Sequence, residues 1–472
     1  VEDAARRWKS GACFDLPDGR RQYIISGPMH YQVGEAWEEI DCRWLPDTVP
    51  WDYQMVYAEY QARVLQRLDA GQILRLEKAG HYLTFQPMAL NFTNDLHQIQ
   101  QISMPETVDG VVSNSGETEL CQQGRIDWAD GYGAGLDFAY IPSTHFFRKL
   151  LTIANLAALG TPAQYILDGG NPAVSLSFIF ESDLDLYVDG ELWDRNERVE
   201  TAERIEFRDG ETVHWWWGVP RARDADGEDQ PGTIELKKQG NSLYVSVRVP
   251  WAWLETAVYP VVVDPDTYYG ETTDGRIYGR DANYATARST SFGADVGVDY
   301  TTVGQRFVDP LYYCYRTFLE FDTSGIAGAV SQANLYLTCT SDSSDTEFDV
   351  EIMKCTWASP IGGGNREANY DAALAAAKDV TWRNTADVVL NTSHGSPNLN
   401  TAHIEVDGTT QYALVSSRDI AEDVPSGNEY ANPATQEHAT QAYRPYLSIT
   451  EAAGGLSIPI AAHHYRQLQG VN

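Results

Sequence analysis

Positive charge is what this chain has least of. Its 34 Lys and Arg stand against 67 Asp and Glu, a formal net charge of −33 at pH 7. A field of that sign repels phosphate backbones and anionic bilayers, so neither nucleic acid nor a membrane is expected as a partner. Long apolar runs are also missing. No stretch approaches the roughly 18 residues of a membrane-spanning helix. Val1 to Lys9 is charged and lacks the apolar core of a signal peptide, which leans toward cytoplasmic synthesis. Cysteine is sparse, with six residues at Cys13, Cys42, Cys121, Cys314, Cys339 and Cys355. None stands in a C-x-x-C or other ligand spacing, which argues against structural zinc. Divided near residue 265 they fall three to a side, an odd number that cannot pair completely. Buried free thiols and a reducing compartment are the expectation. No G-x-S-x-G, H-E-x-x-H, P-loop or dinucleotide fingerprint occurs, so nothing argues for an enzyme.

What is abundant is aromatic and turn-forming: 27 Tyr, 13 Trp, 14 Phe and 38 Gly among 472 residues, with 43% hydrophobic overall. That composition, with few helical stripes, points to an all-β chain long enough for two or three domains. The stretch Tyr315 to Leu337 shows the pattern. Tyr315, Thr317, Leu319 and Phe321 fall on one face of a strand, with Arg316, Phe318, Glu320 and Asp322 on the other. After a small-residue turn, Ala333, Leu335 and Leu337 line one face of a second strand. Tight-turn pairs at Asp18-Gly19, Ala79-Gly80 and Gly240-Asn241 separate further strands. Tyr53 to Leu68 has no proline or glycine and reads equally as helix or strand. The segment 362–379, with the alanine-rich run Ala372 to Ala377, reads as a helical insertion. The expected fold is all-β, with two or more β-sandwich, jelly-roll-like domains and little helix.

Several segments resemble known modules. Pro28 to Gln32, the turn Val33-Gly34-Glu35 and Trp37 to Asp41 look like the opening of an N-terminal module of bacterial and phage surface proteins. The rhythm of Leu136 to Ile153 and the closing strand Tyr259 to Pro265 fit the same module. From Asp266 the chain resembles a DNRLRE-type domain. Its pieces are Asn283 to Thr286 with Ser291 to Asp295, Arg316 to Asp322, Ala333 to Leu337, Val380 to Asn384, Ala402 to Val406 and Arg444 to Ile449. The expected organisation is a β-rich module over 1–265, a DNRLRE-type jelly-roll sandwich over 266–451 and a docking tail over 452–472.

Candidate sites are few. Trp215 and Trp217, beside His214 and on the strand face opposite Trp216, would either join the core or form a platform for sugar rings. Tyr312 and Tyr313 raise the same choice. Asp224, Asp226 and Glu228 form an acidic loop that could hold Ca²⁺, although its glycine stands at the wrong position for an EF-hand. No other cofactor is expected. Asp183 and Asp185, followed by Asp189 and Glu191, fail the same test. Glu320 and Asp322 point the same way from one strand and so do not flank a glycosidic bond. Adjacent His463 and His464 cannot both face one metal. In the tail, Ile458, Ile460 and Tyr465 are the candidate docking residues.

The resemblance implies an exterior, interaction-bearing β-protein. The first expectation is a structural virion protein of a bacteriophage, such as a tail, fibre or head-decoration component with a glycan-contacting surface. Its partners would be other virion proteins, copies of itself and host surface polysaccharide. The alternative is a secreted or wall-associated carbohydrate-binding protein at the cell surface. A polysaccharide lyase or hydrolase is the third reading.

Overall fold

A computed structural model describes residues 2–114, 122–144, 146–225, 229–264, 267–268, 274–359, 361–438 and 440–452. The protein is all-β, about 51% strand and 11% helix, with large antiparallel sheets and no closed barrel among the described residues. It divides into two compact units. One comprises Val1–His30, Gly34–Trp37 and Thr272–Asn472, and the other Tyr31–Val33 and Glu38–Glu271.

The unit over Glu38–Glu271 is built from two sheets around one core. In the first sheet the strand His81–Thr93 lies between Leu74–Lys78 and Ala173–Ser182, and Ser242–Pro250 and Thr233–Gln239 follow outward. The second runs through Gln122–Trp128, Leu136–Pro142, Phe146–Ile153, Thr267–Tyr268, Thr212–Trp217, Ile205–Asp209 and Asp185–Val188. Alternation explains the packing. Leu83, Phe85, Leu90 and Phe92 from one sheet meet Trp128, Phe138, Tyr140, Phe207, Trp215 and Trp217 from the other. Turn chemistry sets the register. Ala79 and Gly80 both adopt positive φ (52° and 88°), the type I′ pattern, so Lys78 pairs directly with His81. The open segment Tyr53 to Leu68 resolves as strands Tyr53–Met55 and Gln61–Val64.

In the other unit, thirteen strands among the described residues form one hydrogen-bonded network. The long strand Leu311–Asp322 sends Leu319 and Phe321 into a core shared with Leu335, Leu337, Leu447 and Ile449. Its opposite face sends Cys314 and Phe318 beneath the short helices Tyr284–Ser289 and Arg366–Ala375. The second of these is a helix where helical structure is expected within 362–379. Arg316 lies on that same covered face and is fully buried.

The N-terminal boundary departs from the expectation that 1–265 forms one module. Strands Gly11–Asp15 and Arg21–Ile25 form a hairpin, and Gln22 to Ile25 pair with Thr450 to Leu447 of the strand Tyr446–Glu451. Tyr23 and Ile25 enter the C-terminal core. The Trp8 indole closes the joint by donating from Nε1 to the Asp322 carbonyl at 3.1 Å. Its ring covers Gly325 so closely that a Cβ there would lie 2.4 Å away. The physical reason is edge satisfaction: the hairpin covers a strand edge that would otherwise present unpaired backbone groups.

This regrouping also changes the cysteine arithmetic. Four cysteines (Cys13, Cys314, Cys339, Cys355) belong to the C-terminal unit, an even number, yet all four are buried free thiols. Burial raises each thiol pKa, to about 12 for Cys339 and about 11 for Cys355. Cys42 is buried in the other unit, and Cys121 lies outside the described residues.

Asp274 is a buried carboxylic acid in the C-terminal unit. Its oxygens accept from the Glu320 N–H at 3.1 Å and the Gln436 N–H at 3.3 Å. Burial, then the neighbouring Glu437, pushes its pKa well above 3.8.

Two outcomes are expected. Trp8→Ala should destabilise the C-terminal unit by about 3–5 kcal/mol, the cost of emptying a large aromatic site, read from denaturant unfolding. An unchanged midpoint would mean the hairpin is dispensable. For Asp274, the folded state holds its proton more tightly than the unfolded state. Its stability penalty therefore develops as pH rises above the unfolded value near 3.8. The Tm of Asp274→Asn minus that of the wild type should become more positive from about pH 4 to about pH 7. A difference that falls over this range would contradict the assignment.

Candidate functional site

Beyond Thr317, the odd-numbered face of the strand Leu311–Asp322 changes character from core to aromatic surface. Thr317 itself is buried and shares a hydroxyl hydrogen bond with Thr301 at 2.9 Å. Past it come Tyr315 and Tyr313, whose rings stack with centroids 6.0 Å apart and planes 10° apart. The neighbouring strand Gly275–Asp281 pairs Arg280 with Tyr313, Tyr278 with Tyr315 and Arg276 with Thr317. The period of two therefore delivers Arg276, Tyr278 and Arg280 to this face. On the other side, Val303–Val308 pairs Arg306 with Tyr313 and Gly304 with Tyr315. Beyond it, Asn428–Pro433 sets Tyr430 opposite Gly304.

Gly304 is required by this arrangement. It adopts φ +126°, and a Cβ would lie 2.2 Å from the Glu429 carbonyl and 2.7 Å from the Tyr430 Cα. The missing side chain leaves Tyr315 and Tyr430 in contact across it, with centroids 6.1 Å apart.

Each arginine lies over an aromatic ring. The Arg306 guanidinium sits 4.6 Å from the Tyr313 centroid and 6.0 Å from that of Tyr430. Arg280 lies 4.6 Å from Phe292 and 5.8 Å from Tyr313, and Arg276 lies 5.5 Å from Tyr315. Arg276 is fixed by Asp295, whose Oδ2 accepts from its Nε at 2.8 Å. Such stacking holds the guanidinium planes in place over the rings. The rim is open: Arg280 is exposed, Phe292 is 50% exposed, and Tyr278, Tyr313 and Tyr430 are half-buried. Tyr315 forms the floor, and burial raises its phenol pKa strongly. The face thus offers flat ring surface together with fixed cationic donors.

The residues singled out from sequence fare differently. Tyr313 belongs to this face, whereas Tyr312 points the other way, onto Phe307 (4.6 Å) and Tyr284 (5.8 Å). A sugar platform at Trp215 and Trp217 is corrected: both are buried in the core, where Trp217 packs edge-on to Phe207 at 4.6 Å. Strand alternation sends Trp216 to the opposite face, with Phe146. Asp224 is also buried, and its Oδ2 accepts from the Val258 N–H at 3.1 Å. That is a structural use of the carboxylate and not the exposed corner of a Ca²⁺ loop. Asp226 and Glu228 lie outside the described residues, as do Ile458, Ile460 and Tyr465. Glu320 accepts from Gln411 Nε2 at 2.7 Å and Asp322 caps the Ser324 N–H at 3.1 Å. Neither carboxylate faces the other across a cleft.

Sequence reasoning passed over Arg276, Tyr278, Arg280, Arg306 and Tyr430. The signal was present in Arg276-Ile277-Tyr278-Gly279-Arg280, an alternation that sets two arginines and a tyrosine on one strand face. No family model matches this chain, and no curated protein matches it.

Proposed function

We propose that the chain is a structural protein of a bacteriophage particle, a tail, fibre or head-decoration component that contacts glycan through its C-terminal unit. The observation that carries this reading is the arginine and tyrosine face. Flat phenol rings suit the apolar faces of pyranose sugars, and the exposed guanidinium of Arg280 suits hydroxyls and carboxylates. In a chain of net charge −33, concentrating Arg276, Arg280 and Arg306 on one face favours an acidic polysaccharide over other ligands. Each such contact is weak, and many copies on a symmetric particle would supply avidity.

The resemblance of residues 266–451 to DNRLRE-type domains covers both settings, and one further point supports the particle over a secreted protein. The buried free thiols Cys13, Cys314, Cys339 and Cys355 suit assembly in a reducing cytoplasm. A secreted or wall-associated carbohydrate-binding protein would use the same face, so the two readings differ in where the chain is found.

In lysates of the source, the chain should sediment with particles, and those four thiols should react with a thiol reagent only after denaturation. Recovery as a soluble monomer with a leader removed would favour the secreted reading. On an array of bacterial surface glycans, binding should concentrate on uronate-bearing polymers. Tyr313→Ala should weaken that binding roughly tenfold, about 1.4 kcal/mol, with the melting temperature little changed. Equal binding by the variant would remove this face from the reading.

A further inference from the structure

The unit over Glu38–Glu271 holds a second constellation, at one end of its sandwich and unrelated to the arginine and tyrosine face. Four residues from three separate segments of the chain meet there. His81 opens the strand His81–Thr93 directly after the Ala79-Gly80 turn. Asp183 follows the strand Ala173–Ser182. Asp209 ends Ile205–Asp209, and His214 lies on Thr212–Trp217. Gly210, at φ +58°, makes the tight turn that brings Asp209 and His214 close together.

One ligand atom from each of His81, Asp209 and His214 lies within 4.8 Å of the others. The imidazole centroids are 4.3 Å apart, and His81 Nε2 is 3.9 Å from Asp209 Oδ2. His81 is also oriented from behind. Its Nδ1 donates to Asp183 Oδ2 at 2.9 Å, while Asp183 Oδ1 accepts the Tyr82 N–H at 2.9 Å. A carboxylate held by backbone that fixes one imidazole nitrogen turns the other nitrogen, with its lone pair, toward the remaining ligands.

We propose that His81, Asp209 and His214 bind a divalent cation of the zinc class, with Asp183 as a positioning residue for His81. Two imidazole nitrogens and one carboxylate oxygen suit Zn²⁺, whereas Ca²⁺ and Mg²⁺ demand mostly oxygen donors. Tetrahedral zinc with bonds of about 2.0–2.1 Å separates its ligand atoms by roughly 3.3 Å. The present spacing must therefore close slightly, and the Asp209 side chain, 72% exposed, is free of packing that would resist this. Three protein ligands leave a fourth position for water. The ion would clip the Ala79-Gly80 hairpin of one sheet to the Gly210 hairpin of the other. It would stabilise the folded unit by mass action, because the ligands converge only after folding.

The test uses the full chain, stripped with chelator and titrated with ZnCl₂ by calorimetry, with melting followed in parallel and Co²⁺ absorption as a geometry probe. One equivalent of Zn²⁺ should bind with a rise in Tm, Co²⁺ should give visible bands of tetrahedral intensity, and Ca²⁺ and Mg²⁺ should do neither. Asp209→Asn, at an exposed position where the fold is not at stake, should abolish the Zn²⁺-dependent shift, as should His214→Asn. Asp183→Asn should keep the one-to-one stoichiometry but weaken affinity 10–100-fold. A variant with both His463 and His464 changed to Ala should bind like the wild type. Absence of zinc binding by the stripped wild type, binding unaffected by Asp209→Asn, or binding lost with His463 and His464 would each overturn the assignment.

Discussion

The C-terminal unit depends on one buried ion pair. Arg316 and Asp419 are both inaccessible to solvent, and their atoms Nε and Oδ2 lie 2.9 Å apart. The guanidinium also donates to the Tyr370 carbonyl and to the Arg288 carbonyl, each at 2.8 Å, and lies 3.8 Å from the Tyr370 ring centroid. Burial alone would weaken the charged form of Arg316, but Asp419 and Tyr370 together offset it and the pKa rises. Removing Asp419 from such a pair typically costs about 3–5 kcal/mol, because the Arg316 charge is left buried and uncompensated, whereas Asp419 has a second partner in Arg288, 3.2 Å away. The single Arg316 side chain joins the strand Leu311–Asp322 to the helices Tyr284–Ser289, Arg366–Ala375 and Ser417–Ala421. The helices are too short to stand alone, and their place on the sheet comes from this pair and the apolar contacts around it.

That commitment divides the functions of one strand by parity. Even-numbered residues Cys314, Arg316 and Phe318 are occupied by the helical cover, and odd-numbered Leu319 and Phe321 by the sandwich core. Past the end of that core, the odd face carries Tyr313 at the surface with Tyr315 buried beneath it. The arginines that gather over them run against the charge of the chain as a whole. A cationic patch in an acidic protein attracts anions only at short range, within about a Debye length of 8 Å at physiological salt. Selectivity on such a face comes from contact geometry more than from long-range steering.

Local pattern was legible in the sequence and distant partnership was not. Alternation assigned Leu319, Phe321, Leu335 and Leu337 to one core and separated Trp216 from Trp215 and Trp217. Turn chemistry placed the hairpins at Ala79-Gly80 and Gly240-Asn241, where Gly240 takes φ +62°. Tyr53 to Leu68 was ambiguous because its apolar residues fit a period of two and of 3.6 about equally, and only pairing with Leu74–Lys78 decides for strands. The N-terminal hairpin was recognisable as a hairpin, but nothing local names a partner more than 400 residues away. Both clusters of functional interest share this limit. Tyr430 reaches Tyr315, and Asp183 reaches His81, through sheet registers that no short motif records.

The pairing of Gln22 with Thr450 imposes an order on biosynthesis. The strand that completes the N-terminal hairpin is translated more than 400 residues after it. At about 20 residues per second, the fastest common elongation rate, the hairpin waits roughly 20 s for its neighbour. During that interval Trp8, Tyr23 and Ile25 lack their core partners Leu447 and Ile449, whereas the unit over Glu38–Glu271 gains its last strand well before they appear. The hairpin is therefore suited to joining its sheet after the unit over Glu38–Glu271 has its strands, held in reserve until Tyr446–Glu451 emerges.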